Sequence, residues 1–295
     1  MKYIEKHPMI MIVVGVLGIS MSSIFVKYST APSAVTAAYR LLWTVLLMTP
    51  VTFGRKEIRQ ELFQVSRNTL ILSCLSGLFL AFHFVLWFES LRYTSVASST
   101  TIVCTEVIWV SLGYALFLKG KLSLKEALTI AVTLGGSALI AFSDSASASG
   151  GDNLYGDILS LLAAIAVAIY VLIGREVRKT ASTTVYTYIV YSACALVLLV
   201  MCLIQGNSLW GYGFSGILVG LLLAVFSTIL GHSIFSWCLK YFSPSFVSAS
   251  KLCEPVAAAI LAGFLFAEIP SAMQIAGGIL IIGGVLYYSR LEQKD

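Results

Sequence analysis

Hydrophobic runs separated by short polar breaks follow one another from one end of the chain to the other. Each is about 20 residues long, enough at 1.5 Å per residue to cross ~30 Å of hydrocarbon. Within a run the apolar positions are continuous rather than alternating. A barrel strand needs only ~10 residues, so helices are the spanning form this pattern predicts. Breaks at the polar clusters give spans near 9–28, 33–53, 69–91, 95–118, 123–142, 154–174, 182–204, 215–240, 245–266 and 270–289. The expectation is an all-α membrane protein of ten transmembrane helices, with no segment left over for a soluble domain. The first run follows a basic lead-in, Lys2 and Lys6, but lacks a clear small-residue cleavage site and is followed closely by further runs. It reads as a retained helix rather than a signal peptide.

Composition agrees with the pattern. The 295 residues are 58% hydrophobic and 11% charged, against about 25% charged in soluble domains, so the bilayer must act as solvent. With the amino terminus cytoplasmic, the inner segments hold Lys2, Lys6, Arg55, Lys56, Arg59, Arg67, Lys119, Lys121, Lys125, Arg175, Arg178, Lys179, Lys240, Arg290 and Lys294. The outer segments hold only Lys27 and Arg92. This follows the positive-inside rule and puts both termini in the cytoplasm. It also accounts for the net charge of +5 without a nucleic-acid partner. The six cysteines lie in apolar runs without metal-ligand spacing and read as packing residues; no metal or cofactor is expected.

Shifting the chain against itself by 148 residues aligns Leu91-Arg92-Tyr93 with Leu239-Lys240-Tyr241, Ser95 with Ser243, Glu106 with Glu254, Gly135-Gly136 with Gly283-Gly284, and Lys27 with Arg175. One ungapped offset, half the chain long, joins them all. The reading is two tandem units, 1–147 and 148–295, of five spans each. An odd number of spans turns the second copy upside down relative to the first. Inverted repeats place equivalent midspan positions near an axis in the membrane plane, where secondary transporters hold substrate and ions.

The residues carry a family likeness. The paired half-repeats, Trp87-Phe88-Glu89-Ser90-Leu91-Arg92-Tyr93, Leu252-Cys253-Glu254-Pro255-Val256, Gly263-Phe264-Leu265-Phe266-Ala267-Glu268 and Tyr39-Arg40 make the chain similar to the drug/metabolite transporter superfamily, in its ten-helix EamA-like metabolite-exporter branch. The resemblance covers nearly the whole chain. It implies a transporter rather than an enzyme, with a small-molecule metabolite as partner, and is a poor guide to cargo, since relatives export amino acids, metabolites or drugs and others move nucleotide sugars. The chain departs from the pattern in three places. Gly120 stands opposite Glu268, Val107 stands opposite Pro255, and Lys251 is a cation where the family's stretch is usually apolar.

A charge at the bilayer centre costs about 2.5–3.5 kcal/mol on insertion scales, so it tends to face a cavity or a partner. Arg40, Glu106, Lys251 and Glu254 are the four such residues. Lys251 and Glu254, three apart, can pair on one helix face. Pro255 cannot donate to the Lys251 carbonyl, which predicts a kink beside the acid and a free acceptor. A zwitterionic cargo would use an acid for its ammonium and a base for its carboxylate. One carboxylate could instead carry a coupling proton, and a purely structural ion pair is the third reading. His83 and His232, one residue out of register in the repeat, are relay candidates or ordinary interface histidines. The aromatics Tyr39, Trp43, Trp87, Trp109, Tyr170, Tyr188 and Trp237 could wall a pocket or serve as interface belts and packing, and Trp109 is the favoured pocket residue, with Tyr39 beside Arg40. The pairs Gly135-Gly136, Gly277-Gly278, Gly283-Gly284 and Gly15/Gly18 permit close helix approach, with a homodimer contact as a secondary role.

The leading function is therefore a secondary transporter exporting small metabolites such as amino acids across the plasma membrane by alternating access, with a proton as a candidate coupling ion. A lipid or lipid-carrier flippase is the alternative. An intramembrane enzyme ranks lower, because the chain has no His-Glu-x-x-His, Gly-x-Ser-x-Gly or phosphate-loop motif.

Overall fold

The computed structural model describes residues 7–94, 96–145, 153–254, 256–257, 260 and 271–292, and these are helical apart from short turns. In chain order the helices are α1 (Pro8–Ser20), α2 (Ser22–Lys27), α3 (Ser33–Gly54), α4 (Lys56–Phe63), α5 (Arg67–Tyr93), α6 (Val96–Cys104), α7 (Glu106–Phe117) and α8 (Leu124–Ser145). They continue with α9 (Asn153–Val177), α10 (Thr183–Ile204) and α11 (Gly213–Leu222). A π-helical stretch (Leu223–Ser233) runs on into α12 (Ile234–Cys238), followed by α13 (Pro244–Ser250), a 3-10 turn (Lys251–Cys253) and α14 (Ala272–Glu292). Among the described residues eight helical segments are long and apolar enough to cross a membrane: Pro8–Val26, Ser33–Gly54, Arg67–Tyr93, Ser99–Phe117, Leu154–Val177, Thr183–Ile204, Gly213–Cys238 and Ala272–Leu291. Of the other two expected spans, one corresponds to α8, a helix of 22 residues. The other, at 245–266, is described only in part.

Local sequence explains where the helices begin. Ser123-Leu-Lys-Glu126 opens α8 with reciprocal bonds: the Ser123 N–H donates to the Glu126 carboxylate at 2.6 Å, and the Glu126 N–H to the Ser123 hydroxyl at 3.3 Å. At the position shifted by 148, Ser271-Ala-Met-Gln274 opens α14 with the same pair of bonds, 2.7 and 3.2 Å. Each satisfies two backbone donors that the helix leaves free. Ser66, Ser182 and Ser243 cap α5, α10 and α13 in the simpler way, through a hydroxyl accepting from the third residue on.

The exterior is a belt of exposed Leu, Ile, Val and Phe such as Leu46, Ile71, Leu116, Leu196 and Ile279, while many polar side chains lie inside. Packing partners are exchanged between the halves. Helix α5 lies on α9, and under the same 148-residue shift the π-helical stretch lies on α1; likewise α11 packs on α3 as α5 packs on α10. Helices α8 and α14 pair with each other, and their glycines set the spacing. A Cβ on Gly136 would come within 2.8 Å of the Gly277 carbonyl oxygen, and one on Gly277 within 2.6 Å of the Gly136 oxygen. Gly135 and Gly283 face open space. Gly277→Leu is expected to overpack this crossing and cost about 1–3 kcal/mol, read as a lower unfolding midpoint in detergent. Gly283→Ala should stay within about 0.5 kcal/mol of wild type.

Candidate functional site

Both halves interrupt a helix just before an acidic residue. In the first half α6 ends at Cys104 and α7 begins at Glu106. Between them the Thr105 N–H donates to the Ile102 carbonyl at 3.0 Å, as in a 3-10 turn, and the Thr105 hydroxyl donates to the same oxygen at 2.6 Å. In the second half α13 gives way to the 3-10 turn Lys251–Cys253 immediately before Glu254. Sequence reasoning placed a break only beside Pro255, which lies outside the described residues. The first half makes the equivalent break without a proline, because a threonine hydroxyl and tight-turn bonds replace the lost helical ones. The Lys251 carbonyl, expected to be a free acceptor, takes the Glu254 N–H instead.

These breaks aim charges inward. The Lys251 ammonium sits 2.7 Å from Glu106 Oε1, and both residues are buried. The spacing of Lys251 and Glu254 permitted a pair on one helix, but the observed pair joins the two halves. Arg40, 1% exposed, stacks over the Phe84 ring at 4.1 Å and donates from Nε to Thr228 Oγ1 at 2.7 Å and from Nη1 to Ser22 Oγ at 3.4 Å. Its Nη2 is buried and unpartnered. Among the described residues the Glu254 carboxylate makes no ion pair or side-chain hydrogen bond.

Arg40, Glu106, Lys251, Glu254, His83 and His232 line one cavity of about 50 Å³, together with Ser22, Trp87, Thr100 and apolar neighbours. That holds a few waters and is far below the ~300 Å³ at which ligand pockets begin. His83 Nδ1 lies 3.0 Å from the Ala163 carbonyl, which can only accept, so Nδ1 carries a proton. The His83 and His232 rings stand edge to face, 6.3 Å apart. A one-residue register difference turns a side chain by about 100° on an α-helix. His232 still reaches the cavity from within the π-helical stretch, whose wider turn changes the facing of its residues.

A second cavity of about 460 Å³, lined by Val26, Ser29, Thr36, Phe88, Leu91, Arg92 and Tyr212 among others, lies one helical turn away along the same helices. Val26 follows Ser22, Thr36 precedes Arg40 and Leu91 follows Trp87, each by four residues. On the opposite side the helices are closed by polar contacts. Tyr170 bonds Ser236 at 2.9 Å, Tyr186 bonds Ser76 at 2.7 Å, and Tyr191 bonds Ser233 at 3.0 Å. Arg175 donates to the Leu239 and Phe242 carbonyls, and Arg178 to those of Ser236 and Ala181. The central cavity thus lies between the larger cavity and these polar contacts.

The model of the EamA-like transporter family matches residues 7–142 and again 154–290. The chain belongs to this family. Among curated relatives, an uncharacterized transporter of Archaeoglobus fulgidus is 29% identical over 45% of this chain and 47% of its own length, about half of that protein. An uncharacterized transporter of Clostridium kluyveri is 24% identical over 70% and 68%. The Bacillus subtilis uncharacterized transporter YdfC is 24% identical over 70% and 67%. One solved crystal structure superimposes with a TM-score of 0.79 over 98% of both chains at 14% identity, a likeness of fold.

Within this EamA-like chain, two residues expected at the site lie apart from it. Trp109 packs half-buried against the core with its Nε1 unpartnered and does not line the cavity. Tyr39, adjacent to Arg40 and so turned from it, donates its hydroxyl to the Leu209 carbonyl. Conversely Ser22, Thr228 and Thr100 were not anticipated, whereas Trp87, one of the aromatics read as pocket-wall candidates, does line the cavity. Hydroxyls in apolar runs are common, and nothing local marks those that face a cavity. Trp87 lies four residues, about one turn, beyond His83, and the two rings stack at 6.1 Å.

Proposed function

We propose that this EamA-family membrane protein is a secondary transporter that exports small zwitterionic metabolites such as amino acids across the plasma membrane, by alternating access of two inverted five-span halves with both termini cytoplasmic. The observation that carries this reading is the set of unsatisfied groups on the central cavity. Among the described residues Arg40 Nη2, Trp87 Nε1 and Thr100 Oγ1 are buried without partners, and the Glu254 carboxylate has no ion pair or side-chain hydrogen bond. Buried polar groups are nearly always bonded, so donors and an acid left open around one cavity fit a cargo bearing both a carboxylate and an ammonium. Two further features support it. The exchanged packing of the halves suits a pseudo-twofold axis in the membrane plane. The larger cavity on one side and the tyrosine, serine and arginine contacts on the other suit a conformation facing outward, whose central cavity widens when cargo enters.

The test is counterflow in vesicles reconstituted with the purified protein and loaded with a mixed amino-acid pool, with and without an imposed pH gradient. Exchange of at least one amino acid above protein-free vesicles is expected. Movement of a labelled lipid in vesicles silent for every solute would replace this reading with a flippase. Exchange that ignores the gradient and survives Glu106→Gln and Glu254→Gln together would remove the proton from the mechanism.

A further inference from the structure

A cargo site alone does not account for Lys251. Its ammonium already occupies Glu106 at 2.7 Å, so a cargo ammonium would have to displace it. The position shifted by 148 holds Val103, so the cation belongs to one half alone. Its surroundings are those of a cation site. The Glu106 carboxylate is buried and the Phe235 ring lies 5.5 Å from Nζ. Glu254, three residues after Lys251, adds a second carboxylate on the same cavity. Arg40 lines the same cavity with the opposite charge, and His83, His232 and Cys104 are its other ionisable groups among the described residues.

We propose that the Glu106 pocket is a monovalent-cation site permanently filled by the tethered ammonium of Lys251, leaving Glu254 and Arg40 for cargo. The carrier then cycles without a mobile cation at Glu106. Only this consequence for transport rests on the central cavity being the transport site. The cation site can be tested without cargo.

Lys251→Ala leaves the Glu106 carboxylate facing a hole the size of the lost side chain. The experiment follows thermal unfolding of the purified full-length protein in detergent, at equal ionic strength, in sodium, methylammonium, ethylammonium or choline chloride. Wild type should unfold at one midpoint in all four salts. Lys251→Ala should gain about 3 °C or more in sodium or a primary alkylammonium relative to choline, saturably. The double variant Glu106→Gln/Lys251→Ala should lose that response. Equal midpoints for Lys251→Ala in all salts, or an undiminished response in the double variant, would overturn the proposal. So would a single variant that fails to fold in every salt while the double variant folds. In vesicles, amino-acid counterflow by wild type should be the same in sodium and choline, and counterflow by Lys251→Ala should require sodium or an alkylammonium. A midpoint response without any counterflow by wild type would sink the transport reading and leave the cation site standing.

Discussion

Lys251→Met is expected to destabilise the folded protein by about 3–5 kcal/mol, and Glu106→Gln by a comparable amount, because each leaves one buried charge without its partner. The double variant Glu106→Gln/Lys251→Met should recover most of the loss, since two neutral side chains of similar volume remove the desolvation penalty along with the attraction. The pair joins the end of α13 to the start of α7 at 2.7 Å, so the cycle measures how strongly the two halves are tied at the centre of the membrane. Unfolding midpoints of the four proteins in one detergent give the coupling energy. Additive losses in the double variant would show that the ion pair contributes nothing between the halves.

Arg40→Met should separate function from stability. Arg40 is buried, stacked on Phe84 and bonded to Thr228 and Ser22, yet its Nη2 has no partner. An apolar side chain of similar length removes an ion that is costly to bury, so stability is expected to hold or rise. Counterflow is expected to fall about 10–100-fold, the worth of a charge-assisted hydrogen bond to a cargo carboxylate. Arg40→Lys should not restore it, because an ammonium cannot fill the stacked, planar position over the Phe84 ring. Wild-type counterflow by Arg40→Met would make Arg40 a structural residue. A fall in the unfolding midpoint equal to that of Lys251→Met would say the same.

Much of the fold was legible along the chain because membrane helices obey one-dimensional rules. Apolar length marks spans, capping serines mark starts, and a shared offset marks duplication. Ser123 with Glu126 and Ser271 with Gln274 are the same local signal written twice, one that the reading of spans did not use, and both form reciprocal bonds. The buried charges were legible for the same reason, since Arg40, Glu106, Lys251 and Glu254 interrupt otherwise apolar runs. Their partners were not legible. Spacing offered Lys251 to Glu254 on one helix, whereas the observed contact crosses to a helix 145 residues away in sequence. The break before Glu106 was likewise silent, because a threonine hydroxyl and a tight turn can end a helix without the proline or glycine that would announce it.

The sequence by itself determined that the chain is a helical membrane protein of the EamA-like family, built from two related segments, because hydropathy acts between near neighbours and a duplication shows when the chain is aligned with itself. Only the tertiary structure decided which polar groups meet. Packing of α5 on α9 and of the π-helical stretch on α1 brings charges and histidines from both halves around one small cavity. The same packing leaves Trp109 half-buried against the core, away from the cavity lining, and Tyr39 on a loop carbonyl. A side chain's facing depends on how its helix is rotated against neighbours far away in sequence, and no local pattern carries that angle.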